Sequence, residues 1–315
     1  MDRKFLFFLA IACVVVAAAP LPAQTAAAPF TVQDSGEGFG TLAEAVAAVG
    51  GGSGTILIAP GHYRQCAVQN GGRIAYVARE PGTVVFDGVA CEGKAALVLG
   101  GRSARVEGII FQNIRVPDAN GAGIRLETGD LVVRESLFRD GENGILAAND
   151  HEGTIRVEQS TFSGLGQCPE NSGCSHSIYN SGGASLIVAR TRFERGTGGH
   201  YLKSRGARIE VTDSSFDDSQ GAATNYMIDL SNGATGTIAR NVFVQGESKE
   251  NYSAFIMVAP EGAEHSSAGL AVTDNDASLA PGLTRRTAFV ADESGEAITI
   301  ASNRLDPQIT RFERR

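Results

Sequence analysis

The chain has 315 residues, 43% of them hydrophobic, and sets 27 Lys+Arg against 35 Asp+Glu for a formal net charge of −8. That balance argues against nucleic acid as a partner. It would also repel a polyanion unless a local cationic patch or a bound divalent cation offset the field.

The first residues read MDRKFLFFLAIACVVVAAAPLPAQ, with Arg3 and Lys4 ahead of an apolar run from Phe5 to Ala19 and then small residues and prolines. This is the pattern of a secretory signal peptide over 1–23, too short and wrongly flanked to span a membrane. It predicts a bacterial protein exported to the periplasm or beyond the cell. A lipoprotein reading would use Cys13, but its LAIAC context is imperfect and the apolar run continues past it. Removing 1–23 takes away Arg3, Lys4 and Asp2, so the charge moves from −8 to −9. No later segment is apolar for long enough to cross a bilayer.

Cys66, Cys91, Cys168 and Cys174 remain. An even count in an exported chain suggests disulfides, Cys168 with Cys174 around the loop CPENSGC and Cys66 with Cys91. Zinc is the competing reading, although no C-x-x-C pair or histidine pattern accompanies these cysteines.

After an extension and first strand over 24–40, TLAEAVAAVG (Thr41 to Gly50) predicts a helix. Thr41 is its N-cap, Glu44 completes a capping box and Gly50 stops it. A short amphipathic helix of this kind can seal the open end of a solenoid. GTILIAPGHY and GTVVFDG follow as the first coils.

A phrase then recurs: an apolar alternation, a small polar pair, and a large apolar residue. It appears as ARVEGIIF, DLVVRESLF, TIRVEQSTF, SLIVARTRF, RIEVTDSSF and GTIARNVF, closing on Phe111, Phe138, Phe162, Phe193, Phe216 and Phe243 at spacings of 27, 24, 31, 23 and 27. Degenerate copies end at Ala277 and Leu305. Alternation with period two means strands with one buried face. Repeats of this length separated by Gly, Asn and Asp fit the coils of a solenoid. Neither a leucine-rich frame nor a helical period is present, so the phenylalanines are expected to stack inside a parallel β-helix.

The order FTVQDSGEGFGTLAEAVAAV, TILIAPGHYRQ and then repeated strand phrases resembles the right-handed parallel β-helix superfamily of pectate lyases and their relatives, from about Phe30 to Leu305. The resemblance implies an all-β, single-stranded right-handed parallel β-helix of about ten coils over 51–306, with the helix over 41–50 as its cap and a C-terminal tail over 307–315. It does not choose among the lyases, hydrolases, esterases, epimerases and adhesins of that superfamily. The paired-aspartate and GHG phrases of polygalacturonases, the paired-aspartate motif of pectin methylesterases, the DPHD of alginate epimerases and the WIDH and RxPxxR phrases of true pectate lyases are all missing.

Equivalent positions of successive coils lie about 4.8 Å apart. Aligning GIRLE, GILAA, SIYNS, YLKSR, MIDLS, FIMVA and FVADE puts Ile124, Ile145, Ile178, Leu202, Ile228, Ile256 and Val290 in one inward column. The outward column reads Arg125, Leu146, Tyr179, Lys203, Asp229, Met257 and Ala291, with Arg205 beside Lys203. His176 and His200 open equivalent coils at the edge of the same face.

Elimination across a uronic acid needs a base for the C5 proton, a cation for the adjacent carboxylate and an acid for the leaving oxygen. YLKSRGARIEVTDSSF is similar to the lysine-bearing strand of the alginate and chondroitin lyases with this fold. That resemblance implies Lys203 as base, Arg205 as carboxylate clamp, and Tyr179 or His200 as acid. An ordinary lysine, with a pKa near ~10.4, is a poor base at neutral pH; Asp229 would orient Lys203 or bind a cation. Some lyases of the superfamily recruit calcium, so Ca2+ is a candidate cofactor and Asp229 its candidate ligand. His176, Asp229, Arg125, Arg192 and Tyr201 are the further expected substrate contacts. The Cys168–Cys174 loop and GESKENYS (Gly246 to Ser253) are expected to wall the groove.

Each feature has a plainer reading. Lys203 over Asp229 would be a surface ion pair, Tyr179 a packed aromatic, and the two histidines turn residues. Asn180, Asn225, Asn232 and Asn251 would serve turns or a stacked amide ladder. Asp213, Asp217, Asp218, Asp292 and Glu293 would be solvated. The leading expectation is a monomeric lyase for an acidic polysaccharide or oligosaccharide, without a membrane span. The alternatives are a non-catalytic carbohydrate-binding or cell-surface β-helix, and then a glycoside hydrolase, which would need a second carboxylate.

Overall fold

A computed structural model describes Met1 and residues 28–149, 152–170, 173–183 and 185–315. The expected signal peptide and Cys13 lie outside the described residues. Among them, no helix is long and apolar enough to cross a membrane.

The chain winds through one twelve-stranded and two ten-stranded sheets. Each coil lays one strand in each sheet, as in Ser185–Ala189, Arg192–Glu194 and Leu202–Ser204. The ten strands of the second and third sheets make ten coils, separated by nine coil-to-coil steps. Strand pairing is parallel except where Phe30–Val32 pairs antiparallel with Gly38–Phe39 and Ser53–Ile58; isolated antiparallel bridges join Cys91 to Ala95 and Gln167 to Ser175. Within the C-terminal tail over 307–315, a strand Ile309–Arg314 lies beside Thr287–Asp292. Its alternating residues complete the last rung of the third sheet.

The recurring polar pair explains the corner between the first two sheets. Glu135, Gln159, Arg190, Asp213, Arg240, Asp274 and Ser302 all adopt positive φ between 47° and 57°. A left-handed residue turns the chain sharply, and it takes the next amide out of the sheet ladder. The following residue repairs the loss for the coil before it. The Ser214 amide donates to Asn241 Oδ1 (3.0 Å), the Asn241 amide to Asn275 Oδ1 (2.9 Å) and the Asn275 amide to Asn303 Oδ1 (2.9 Å). Ser136 and Ser160 begin the same column. The stacked ladder therefore runs through Asn241, Asn275 and Asn303, and not through Asn180, Asn225, Asn232 or Asn251.

Phe111, Phe138, Phe162, Phe193, Phe216 and Phe243 form one continuous stack, with neighbouring ring centroids 4.7–5.1 Å apart. Phe30, Tyr63 and Phe86 extend it to the N-terminal end. Where Ala277 ends the series, Phe255 and Phe289 turn edge-on to Phe243 and fill the space. Gly144 is required beside this stack, because a Cβ there would sit 2.6 Å from the Phe162 ring.

The helix Leu42–Val49 caps the N-terminal end, burying Leu42, Ala45 and Val46. Its Thr41–Glu44 capping box is formed in both directions. Both cysteine pairs are disulfides, with Cα atoms 5.4 Å apart for Cys66–Cys91 and 4.2 Å for Cys168–Cys174. The zinc reading falls with them.

The stack predicts a measurable cost. Phe162→Ala removes a fully buried ring from between two others. It is expected to destabilise the protein by about 3–5 kcal/mol, read as a lowered thermal midpoint by circular dichroism.

Candidate functional site

The outward column of the third sheet is in the expected register. Leu146 pairs with Tyr179, Tyr179 with Lys203, Lys203 with Asp229, and Asp229 with Met257. The polar triad is bracketed by apolar surface on the same face. Ala95, Val98, Ala122 and Leu146 lie on one side, with Tyr179 packed against them. Ala254, Met257, Ala288 and Ala291 lie on the other, with Tyr226 packed against them. The charges therefore sit between two apolar patches of low polarisability, where they act more strongly than in water.

Lys203 is only 8% exposed and Asp229 only 2%. Lys203 Nζ lies 3.4 Å from Asp229 Oδ2, and His200 Nε2 lies 3.5 Å from the same oxygen. Above them sits a group that the strand alignment did not reveal. The Glu261 carboxylate accepts from Lys203 Nζ through one oxygen and from the Arg205 guanidinium through the other, with Arg205 Nε at 3.1 Å. Arg205 also donates to the Tyr179 hydroxyl. One carboxylate thus bridges both cations of YLKSR.

The histidines stack behind this group, with ring centroids 5.0 Å apart. His176 Nδ1 accepts the backbone N–H of His200 at 2.9 Å, so this nitrogen carries no proton. Burial, then the charges of Lys203 and Arg205, lower His176 to about 3. Burial, then His176 and Lys203, hold His200 well below its ordinary value. Both rings are neutral near pH 7. Burial raises Asp229 to about 6 despite the Lys203 ammonium and a 3.1 Å bond from the Ser231 hydroxyl. Its Oδ1 is buried without a hydrogen-bond partner. Burial also raises Tyr179, which keeps its phenol protonated. Burial pushes Glu261 up, but bonds from Lys203 and Arg205 outweigh it and bring the carboxyl below its usual range.

The remaining expected contacts divide. Arg125 and Tyr179 line a cleft of about 360 Å³ next to the triad, with Arg125 paired to Glu127 at 3.3 Å. Arg192 belongs to another sheet, where it pairs with Glu194, so it does not reach this face. Tyr201 turns inward: it is 1% exposed, meets the rings of Phe193 and Phe216, and donates to Asp218 Oδ1 at 2.7 Å. It sits on the irregular approach to the strand, where period-two alternation does not hold. Asp218 is likewise buried rather than solvated, ion-paired at 3.0 Å with Lys249 from GESKENYS. Asp292 is also fully buried, 3.5 Å from Arg314 of the added last strand. GESKENYS borders the histidine side through Asn251, which donates to the Tyr226 hydroxyl at 2.9 Å.

Calcium takes six to eight oxygen ligands. Here Asp229 and Glu261 are both turned to Lys203, and the described residues hold no group of three or more metal-ligating side chains. These residues do not suit a hard cation.

The buried histidines predict an acid-sensitive fold. A group whose pKa is depressed on folding contributes stability above its unfolded pKa and loses it as pH falls toward the folded value. Between the ordinary 6.5 and about 3, His176 therefore destabilises the native state progressively. Asp229, raised from 3.8 to about 6, has the opposite sign within that window and offsets only one of the two histidines. His176→Gln keeps an acceptor for the His200 amide. Its stability relative to wild type should improve by about 1.4 kcal/mol per pH unit as pH falls from ~6 to ~4, read by chemical denaturation at stepped pH.

A family model described as a right-handed β-helix region matches residues 95–280, more than half of the chain. No curated protein and no solved structure matches it.

Proposed function

The chain belongs to the right-handed β-helix family, a fold compatible with acting on or binding polysaccharides, and from that premise we propose an exported polysaccharide lyase that cleaves an acidic, uronic-acid-containing glycan by β-elimination. The observation that carries this reading is the bridging carboxylate. Lys203 and Arg205 already converge on one carboxylate, with a protonated phenol beside them.

A substrate uronate would take the place of the Glu261 side chain. As the C5–H bond breaks, its electron pair moves toward the carboxylate, and the Arg205 guanidinium stabilises the added charge. Lys203 is the base. It acts as the free amine, with Asp229 at 3.4 Å as the carboxylate placed to take its resting proton, and the amine takes the C5 proton. Tyr179 donates its phenolic proton to the leaving glycosidic oxygen, and Arg205 neutralises the phenolate that remains. The C4–O bond breaks and a C4–C5 double bond forms. His200, neutral at this pH, does not serve as the acid; it and His176 form the back wall.

One observation favours a non-catalytic carbohydrate-binding protein: Lys203 is already satisfied by Asp229 and Glu261. A panel of acidic glycans, with and without calcium, separates the two. The lyase reading expects ultraviolet absorbance of an unsaturated uronate with wild type, and losses of about 10²- to 10⁴-fold in Lys203→Ala and Tyr179→Phe. Silence across the panel, with glycan retention unchanged by Lys203→Ala, would leave only the binder.

Glu261 competes with substrate in either case. Glu261→Gln should lower KM or Kd for the acidic glycan several-fold, an effect on the order of 1 kcal/mol. Unchanged or weaker binding would show that this carboxylate is not a stand-in for the substrate's.

A further inference from the structure

A trough of about 750 Å³ opens beside the cation pair. Its lining comes from five successive coils: Asn149 and Glu152, then Ser181 to Gly183, Arg205 with Ala207, Asn232, and Glu264 with His265. Five coils span about 19 Å along the axis at the strand spacing. That suits an extended chain lying parallel to the solenoid rather than a compact ligand. Arg205 belongs to this trough and to the Glu261 site, so the two are continuous.

The lining differs in character from the cation pair. Arg205, its cation, is already engaged by Glu261, while Glu152 and Glu264 add two carboxylates. Asn232 is 7% exposed, and its Oδ1 is buried with no hydrogen-bond partner among the described residues. A buried amide left unpaired costs about 1–3 kcal/mol. With no bond to hold it, this amide can rotate its unpaired oxygen toward a ligand donor. Ser181 is spent on the Ala147 carbonyl, and Gly182 and Gly183 leave the floor without side chains.

Acceptors and negative charge repel a second carboxylate and welcome hydroxyl or amide donors. We propose that this trough is a flanking sugar subsite for an uncharged, donor-rich residue next to the uronate, so that the preferred glycan alternates acidic and neutral units. The proposal rests on the reading of Lys203 and Arg205 as a carboxylate site. It adds that the neighbouring unit on the Asn232 side carries no charge.

Calorimetric titration of the mature protein at low ionic strength tests it, using size-matched oligosaccharides. One series alternates glucuronate with N-acetylhexosamine; the other consists of uronate alone. The alternating series should bind at least about tenfold more tightly. Glu264→Gln, an exposed change, should raise affinity for the all-uronate series about threefold and narrow that preference. Asn232→Ala should weaken the alternating series and leave the all-uronate series unmoved. Equal or tighter binding of the all-uronate series, still abolished by Arg205→Ala, would overturn the subsite and leave the carboxylate site standing. If neither series binds, the carboxylate reading fails and the subsite with it.

Discussion

Parallel stacking in register is the constraint from which the rest follows. Each strand lies directly on its equivalent one coil away, so each side chain meets whatever the next coil places at the same position. Phenylalanine on phenylalanine satisfies this rule at little cost, and so do aliphatics on aliphatics. A charge does not. Placed in a column, it must find its counter-charge one step up or down, or remain partly buried and unpaired. Tyr179, Lys203 and Asp229 break the column between apolar Leu146 and Met257 in this way, and their mutual contacts, with Glu261 above, are what make the break tolerable.

The same constraint shapes the electrostatics. The site is nearly self-neutral, two cations set against two carboxylates, yet every member is held away from its ordinary solvation. Asp229 is raised while Glu261 is lowered, although both face the same lysine. The difference is depth: Asp229 is fully enclosed, whereas Glu261 keeps contact with solvent. Two carboxylates around one amine therefore occupy unlike surroundings.

What the sequence disclosed follows from periodicity. The phenylalanine stack, the inward aliphatic column and the outward Tyr179–Lys203–Asp229 line could all be read because each repeats once per coil. Glu261 was not legible. It lies three residues beyond Val258, where a strand ends and no alignment fixes direction. The Asp218–Lys249 pair joins two irregular segments 31 residues apart, and no local pattern ties them. Arg192 belongs to a second-sheet strand and so faces away from the site, while Tyr201 lies in the irregular segment before Leu202–Ser204, where the turn and not the alternation decides which way it faces. The amide ladder was expected, but its position depends on the left-handed residue before it, which composition does not reveal.

The corner between the first and second sheets has one further consequence. It is built alike in coil after coil, so Arg134 to Leu137, Glu158 to Thr161, Ala189 to Arg192 and Thr212 to Ser215 are the same step. The uneven spacing of the closing phenylalanines is therefore absorbed elsewhere, chiefly in the segments that lead into the third sheet. One edge of the prism acts as a rigid spine, and the edge carrying the charges is free to lengthen or shorten. An extra residue in the spine would turn the next strand inside out, whereas several added at the opposite edge would only reshape the rim of the trough. Chemistry on this scaffold can change without the scaffold noticing, provided the change is written on the side away from the spine.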